Sequence, residues 1–458
     1  MAALTHLPYF SMNTKPLPKF SCLLLLSLVA LVGDGFGQTD RPNIILIMAD
    51  DLGYEGLAVN GADDYQTPEL DRLAAGGMRF THAYANPVCT PTRVKIMTGL
   101  YNVRNYTSFG TLSRDETTFG NLLKANGYRT AIAGKWQLGR EADSPQHFGF
   151  EQSFLWQQSK PRTKPGGSFD SRFTNPIFDL NGTTVSYDKG EFGPDLCADF
   201  ILDFIKKNQE GPFLVYYPML LTHCPFVPMP ISDDWDTSSP GSKNYRGDPA
   251  YFGDMVTYMD QIVGRIVKGV EALGLSENTI IIFTGDNGTD KPVVTSFRGT
   301  KIRGGKRQMS DAGTWVPLIG YAPGIIPPGT VSDTMIDFTD FLPTLCSISG
   351  TALPKDYPGD GVSFWNTLQG DTQRDKQHAY IWYSERGKTN EAKVYARTQT
   401  RMLRRAKPGK PLEYYDSSKA FQLNAIDINS LAGAEQAIFD YLQSVIEKYD
   451  QVAKQRKK

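Results

Sequence analysis

The stretch Asn43–Asp51, "NIILIMADD", is apolar at consecutive positions from Ile44 to Met48 and then turns abruptly to two aspartates. A run with no polar face reads as a strand buried on both sides, as in a parallel sheet covered by helices. Three further runs end the same way. "YRTAIA" (Tyr128–Ala133) leads into Gly134-Lys135, "PFLVYYPML" (Pro212–Leu220) into Leu221-Thr222-His223, and "NTIIIFT" (Asn278–Thr284) into Gly285-Asp286-Asn287-Gly288. In open α/β sheets, ligands bind in the crevice outside the carboxyl ends of the strands. Asp50, Asp51, Lys135, His223, Asp286 and Asn287 are therefore candidates for one site.

Helical patterns separate these runs. Thr67-Pro68-Glu69 opens one with a cap, a first-position proline and an early acid, and Gly76-Gly77 closes it. "TTFGNLLKANGY" is closed by Asn126-Gly127, and "DFILDFIKKN" precedes the third strand. "YFGDMVTYMDQIVGRIVKGVEALG" is a long amphipathic helix ending near Gly274. The alternation predicts a large, mainly parallel sheet sandwiched by helices over residues 41–349. Beyond about Gly350, "AYIWYSE", "KVYARTQTRMLRR" and "PLEYYDSS" predict a smaller antiparallel sheet, closed by a helix near Ala434–Tyr449. This gives a C-terminal α+β part over 350–458. Glu151–Leu196, rich in turn residues, reads as a surface excursion.

The net charge of −1 argues against a nucleic-acid partner, which needs a basic face. Lys15 and Lys19 precede the apolar run Phe20–Gly33, followed by the small-residue stretch "GDGFGQ". That is the order of a secretory signal peptide, expected over 1–37 and cut near Gly37, which makes the chain secreted or periplasmic. The run is too short for a spanning helix; a retained N-terminal anchor is the alternative. No later segment approaches spanning length, so stable membrane insertion is not expected. With Cys22 inside the signal, Cys89, Cys197, Cys224 and Cys346 remain, widely scattered in a chain long enough to build its own core. Disulfides are not needed for stability.

Cys89 stands in "NPVCTPTRVKIMTG" (Asn86–Gly99). Pro91 biases Thr90 away from helical geometry and suits a helix start, so "TRVKIMTGLY" is predicted to be a short helix with Cys89 just upstream. Backbone N–H groups and the helix dipole there favour an anion, and Arg93 adds a fork-shaped cation for an oxyanion. A buried structural cysteine with the arginine in a surface pair fits the same pattern. Asp50, Asp51, Asp286 and Asn287 are hard oxygen ligands suited to Ca²⁺, with Mg²⁺ second. No His/Cys cluster has zinc spacing. A hard dication would offset the charge of a sulfate or phosphate oxygen and position it for attack.

With these residues in view, the chain resembles the formylglycine-dependent sulfatases of the alkaline phosphatase superfamily over nearly all of the mature sequence. "PNIILIMADDLGY" resembles that family's opening strand, and "CTPTRVKIMTGLY" its signature around the modified cysteine. "GYRTAIAGKWQLG" resembles its second signature, "THCPFVP" its histidine loop and "NTIIIFTGDNG" its distal metal strand. "RGGKRQMSDAGTWVP" resembles the segment carrying a substrate lysine, with Asp311-Ala312-Gly313 where Glu-Gly-Gly is usual; "DGVSFWNTLQG" and "LEYYD" echo the C-terminal part. The resemblance implies that a formylglycine-generating enzyme oxidises Cys89 to formylglycine (3-oxoalanine). One hydroxyl of the aldehyde hydrate can attack sulfur while the other later collapses the adduct. Carried over by position, Asp50, Asp51, Asp286 and Asn287 would bind calcium, with modified Cys89 contributing an oxygen. Arg93 would stabilise the hydrate, Lys135 and Lys306 would hold sulfate oxygens, and His223 would protonate the leaving alcohol, aided by Lys306.

Gln137 departs from the family pattern, which has histidine in G-K-W-H-L-G. An amide donates and accepts hydrogen bonds but is no base near neutral pH. Either another group releases sulfate, or turnover is slow, or the pocket is arranged differently. His82 either lines the site or is a partly buried structural histidine, and His147 receives no role. Arg298, Lys301 and Arg303 either contact a polyanionic substrate or form a solvated loop. Asn105-Tyr-Thr and Asn181-Gly-Thr fit the glycosylation pattern. Three functions remain: an exported sulfatase acting on a sulfated small molecule or saccharide; a phosphoester or phosphonate hydrolase with the same modified site; and, prompted by Gln137, a non-catalytic binder of sulfated ligands.

Overall fold

Strand β1 (Asn43–Ala49) is buried along its whole length, and its side chains feed two separate cores. Ile44, Leu46 and Met48 pack on one face of the sheet and Ile45, Ile47 and Ala49 on the other, as the period of two requires. The computed structural model describes residues 41–159, 163–164, 167–169, 171–371 and 373–456; the expected signal peptide lies outside them. The sheet continues with β2 (Met78–Phe80), β3 (Arg129–Lys135), β4 (Gln152–Trp156), β5 (Ile177–Leu180) and β6 (Thr183–Ser186). It is completed by β7 (Phe213–Pro218), β8 (Thr279–Gly285), β9 (Leu318–Tyr321) and β10 (Thr330–Ser332). The spatial order is β10-β2-β9-β8-β1-β7-β3-β4-β5-β6. The central strands β8, β1, β7, β3 and β4 are parallel, and antiparallel strands flank them.

Helices cover both faces. Val94, Ile96 and Met97 of α2 (Cys89–Thr98) join the core that holds Ile44. Cys197 and Ile201 of α3 (Gly193–Lys207), with Met259 and Val263 of α4 (Phe252–Ala272), join the core that holds Ile45. Each fully buried aliphatic side chain contributes on the order of 2 kcal/mol. The mainly parallel, helix-covered sheet read from the apolar runs is the observed one.

Three local expectations are corrected. Helix α1 (Pro68–Ala75) is not capped by the Thr67 side chain, which instead donates to Asp71 and accepts from Ala58 N. The cap comes from α4, where Asp260 accepts from Glu69 N and Leu70 N. Helix α2 starts at Cys89 itself, two residues before Pro91. The proline falls in the first turn, where its missing N–H has no intrahelical acceptor to lose. Lastly, the segment read as a surface excursion supplies a central parallel strand, β4, and the β5–β6 hairpin that extends the sheet edge. A five-residue strand between turn residues is too short for its pattern to stand out; the register Ala133↔Phe154 on β3 fixes it.

Beyond these strands, β11 (Ala379–Tyr383), β12 (Lys393–Arg397), β13 (Arg401–Arg405), β14 (Glu413–Asp416) and β15 (Asn424–Ile426) form an antiparallel meander in chain order. Helix α5 (Gly433–Arg456) buries Leu442 and Ile446 in the same core as Trp382, Val394 and Leu403. The four cysteines among the described residues are buried and unbridged. No helix among those residues is long and apolar enough to cross a membrane. Of the two glycosylation patterns, Asn181 is exposed, whereas Asn105 is buried and donates to Thr98 Oγ1.

Gly134 holds β3 against β7. Its φ is +107°, and a Cβ there would stand 2.1 Å from Pro218 O. Replacement by alanine therefore forces the strands apart beside Lys135. Gly134→Ala should destabilise the fold by ~2–4 kcal/mol, read as a lower urea midpoint.

Candidate active site

The parallel register carries β1 and β8 to the same edge, with Ala49 paired to Gly285. The backbone ladder continues past the strand ends: Asp286 N donates to Ala49 O at 2.9 Å, Asp50 N to Leu221 O at 2.8 Å and Thr222 N to Asp50 O at 2.7 Å. These bonds bring Asp50, Asp51, His223, Asp286 and Asn287 together from three strands. Lys135 is the last residue of β3 and reaches across β7, its Nζ lying 2.7 Å from Asp50 Oδ2.

The loop preceding β9 brings Lys306. Lys306 N donates to Thr289 O and Gly305 N to Ala312 O, so the loop is pinned to the residues after Asn287. Lys306 Nζ then lies 2.6 Å from Asp51 Oδ2. Asp311, which heads the turn after Lys306, is held by a buried ion pair to Arg397 of β12. On the opposite side, α2 presents Cys89 in its first turn and Arg93 one turn later. Arg93 Nη2 is 3.2 Å from Asp286 Oδ2, and Nη1 donates to Lys135 O at 3.0 Å.

Three carboxylates thus face three cations, all buried, and their protonation follows from that balance. Burial pushes Asp50 toward its neutral form, but Lys135, Arg93 and Lys306 outweigh it and hold the carboxyl down at about 2. Asp286 is raised to about 8, first by burial and then by the charge of Asp50. Burial also raises Asp51, against the pull of Lys306. Burial alone would lower Lys306, yet Asp51, Cys89 and Asp50 raise it, so its ammonium is retained.

The donor set fits a hard dication. Ligand atoms of Asp50, Cys89 and Asp286 all lie within 4.8 Å of one another, as do those of Asp50, Asp51 and His223. Asn287 Oδ1 is buried without a hydrogen-bond partner in the structure, and the carboxylates crowd one another. A dication held by oxygen ligands answers both conditions.

Gln137 lies directly on the cysteine. Its Oε1 accepts from Cys89 Sγ at 2.9 Å and from Thr90 Oγ1 at 3.0 Å, and its Nε2 is buried with no hydrogen-bond partner. Gln137 and Asp51 both adopt left-handed backbone, with φ of 57° and 61°, a conformation that costs on the order of 1 kcal/mol for a non-glycine residue.

His223 is set by a residue that the sequence reading left in a surface segment. Arg172 is buried, its guanidinium lies 4.1 Å from the Trp156 ring centre, and Nη2 donates to Cys224 O at 2.6 Å. His223 Nδ1 reaches the same carbonyl at 2.6 Å. A carbonyl only accepts, so Nδ1 carries the proton and Nε2 faces Asp51 Oδ2 at 3.6 Å. No sequence signal marks Arg172, because its role needs β4 in the sheet. His82 joins none of these groups: its Nδ1 is 3.2 Å from Tyr84 OH, and burial followed by the charge of Arg397 holds its pKa at about 4. Arg298 donates to Asn60 O, Lys301 to Ser296 Oγ and Arg303 to Lys291 O, along an exposed hairpin.

Known proteins resemble this chain over most of its length. The Sulfatase family model matches residues 42–351. Human arylsulfatase A is 33% identical over 399 residues, covering 79% of this chain and 73% of that protein. Mouse N-acetylgalactosamine-6-sulfatase is 31% identical over 393 residues, covering 78% and 72%. Among solved structures, one in complex with its substrate D-glucosamine-2-N,6-O-disulfate aligns with a TM-score of 0.70 at 22% identity, over 90% of this chain and 98% of that one. This last likeness concerns the fold.

The raised Asp286 carboxyl sets a pH dependence for protein stripped of divalent ions. Its proton leaves at about 8 in the fold and at 3.8 in the unfolded chain, so its stabilising contribution is complete below 3.8 and lost as pH rises through 8. Urea midpoints should therefore fall across that window. Asp286→Asn should flatten the slope, and an unchanged slope would refute the assignment.

Proposed function

The chain belongs to the sulfatase family, and we propose that it is an exported enzyme that hydrolyses a sulfate ester of a carbohydrate through a formylglycine made from Cys89, with bound calcium. The observation that carries this reading is Cys89 itself: a thiol in the first turn of a helix, beside three carboxylates and three cations that share one buried site. A structural cysteine needs no such surroundings. The printed activity of the mouse relative and the bound sugar disulfate of the solved structure support a sulfated saccharide as substrate. Export rests on the Lys15–Gly37 pattern, and the work is divided between a catalytic part, 41–349, and a C-terminal part, 350–458.

Asp50, Asp51, Asp286 and Asn287 would hold calcium, with magnesium the lesser alternative. When bound, the ion supplies positive charge against a sulfate oxygen. The aldehyde hydrate would supply one hydroxyl for attack on sulfur and a second from which the adduct collapses to free sulfate, its proton returning to the Nε2 that His223 emptied onto the leaving alcohol. Around these groups, Arg93 lies across the helix start and stabilises the negative charge that builds there. Lys135 and Lys306 carry the remaining positive charge for sulfate oxygens. As the imidazolium, His223 keeps its Nδ1 proton on the Cys224 carbonyl and gives the Nε2 proton to the leaving alcohol. Gln137 takes no proton; it fixes the side chain at position 89 through Oε1 and offers Nε2 as a donor to a substrate oxygen.

The decisive experiment is the mass of the tryptic peptide Phe80–Arg93 from protein made with a formylglycine-generating enzyme, followed by turnover of aryl sulfate and aryl phosphate. An aldehyde in place of the thiol, with sulfate the preferred ester, is the expected result. An intact thiol despite active converting enzyme would move the chain to ligand binding, and preference for phosphate would move it to the phosphoester reading. Cys89→Ala should lower kcat by ~10³-fold or more. Gln137→Ala should lower kcat by ~10-fold or more with the aldehyde content unchanged, because the loss is one of orientation.

A further inference from the structure

A groove of about 440 Å³ runs between the Lys306 loop and one end of strands β12 and β13 in the C-terminal sheet. Its lining includes Lys291, Arg307, Met309, Lys393, Arg404 and Arg405, and none of the lining side chains is acidic. Strands β12 and β13 place the C-terminal cations together, since Val394 pairs with Arg405 and Tyr395 with Arg404. Arg404 is braced by Glu413 at 2.7 Å and lies 4.8 Å from the Tyr415 ring centre, and Arg405 is braced by Asp450 at 2.6 Å. Arg307 has only a solvent-exposed pair with Glu385 at 3.3 Å, which is worth little. Lys291 and Lys393 are exposed and have no ion-pair partner among the described residues. The groove therefore keeps an excess of positive charge in a chain whose net charge is −1.

This groove lies beside the active site. Arg307 follows Lys306 and donates its N–H to Pro87 O at 2.8 Å, two residues before Cys89. Met309 packs in one apolar cluster with Val88, Cys89 and Tyr383. A ligand whose sulfate sits at Cys89 and Lys306 would leave past Arg307 into the groove.

We propose that the groove binds a second anionic group on the same substrate, so that the enzyme acts on a polyanionic saccharide chain carrying a sulfate or carboxylate beside the ester it cleaves. The orientation rests on the sulfatase reading above; the binding of an anionic chain does not. Guanidinium forks match the planar oxygen edges of either anion, and the two unpaired ammonium groups supply charge that salt would screen. The contact is non-covalent, so no further reactant is required.

The test uses the full mature chain, in its thiol form for binding and its aldehyde form for turnover. Calorimetric titrations with a sulfated dextran oligosaccharide, an oligogalacturonate and inorganic sulfate, each at low and high salt, read the groove directly. One of the two chains should bind, more weakly at high salt, and the stronger of the two identifies the anion. Lys291→Ala/Lys393→Ala should weaken that chain about tenfold while leaving inorganic sulfate binding and 4-nitrophenyl sulfate turnover unchanged. Lys301→Ala, on the neighbouring hairpin and bonded only to Ser296 Oγ, should bind the chain like the wild type. Equal binding by the groove variant and the wild type, or loss in the hairpin variant alone, overturns the proposal. Absence of aryl sulfate turnover in aldehyde-bearing protein would overturn the sulfatase reading instead, and loss of chain binding in the groove variant would still support the groove.

Discussion

Asp50, Asp51 and Asp286 can share a dry pocket only because Lys135, Lys306 and Arg93 stand against them, one cation to each carboxylate. Burying a single unpaired ion costs several kcal/mol, so a set of six is viable only when every member is in place. That requirement ties the ends of β1, β3 and β8, the first turns of α2 and the loop at Lys306 into one unit. The left-handed backbone at Asp51 and Gln137 is tolerated because the surrounding bonds leave those residues no other placement. The same balance makes the site receptive to ions and anions. Carboxylates crowded enough to raise Asp286 favour a dication, which would free Lys135, Lys306 and Arg93 to face an oxyanion.

Elements remote from the chemistry hold this unit in position. Lys95 of α2, one turn and a half beyond Cys89, is buried against Asp337 at 2.6 Å and donates to Tyr380 O at 3.0 Å. Asp337 in turn accepts from Tyr380 N at 2.9 Å. The helix bearing the cysteine is thereby fastened to β11. Arg397 of β12 fastens the turn after Lys306 through Asp311. The C-terminal sheet thus fixes both walls of the site and supplies one side of the basic groove. Its contribution to the site is positional: it holds the helix of Cys89 and the turn after Lys306 in place.

Much of the site was legible before the fold was known, because each residue obeys a local rule. Ligands of open α/β sheets bind outside the carboxyl ends of the strands, so Asp50, Asp51, Asp286 and Asn287 stand out at the ends of apolar runs, as do Lys135 and His223, and the structure brings them together. Cys89 and Arg93 are marked by their spacing around Pro91. What stayed hidden depends on contacts between distant segments. Arg172 acts only after β4 has entered the sheet. Asp260 caps α1 from another helix, displacing the threonine that local rules favour. The groove joins Lys291 and Arg307 to Lys393, Arg404 and Arg405, a grouping with no trace in their separation along the chain.

The sequence by itself determined the parallel core, the edge at which the site forms and the chemical types gathered there. Those features follow from hydrophobic periodicity and from the identity of the residue after each strand. Tertiary structure alone decided which carboxylate pairs with which cation, that Gln137 rests on the Cys89 sulfur, and that Arg172 and His223 share the Cys224 carbonyl. It also decided that a basic groove lies beside the site. Pairing and proximity are properties of register and loop closure, and these are settled only when the strands, helices and C-terminal sheet pack together.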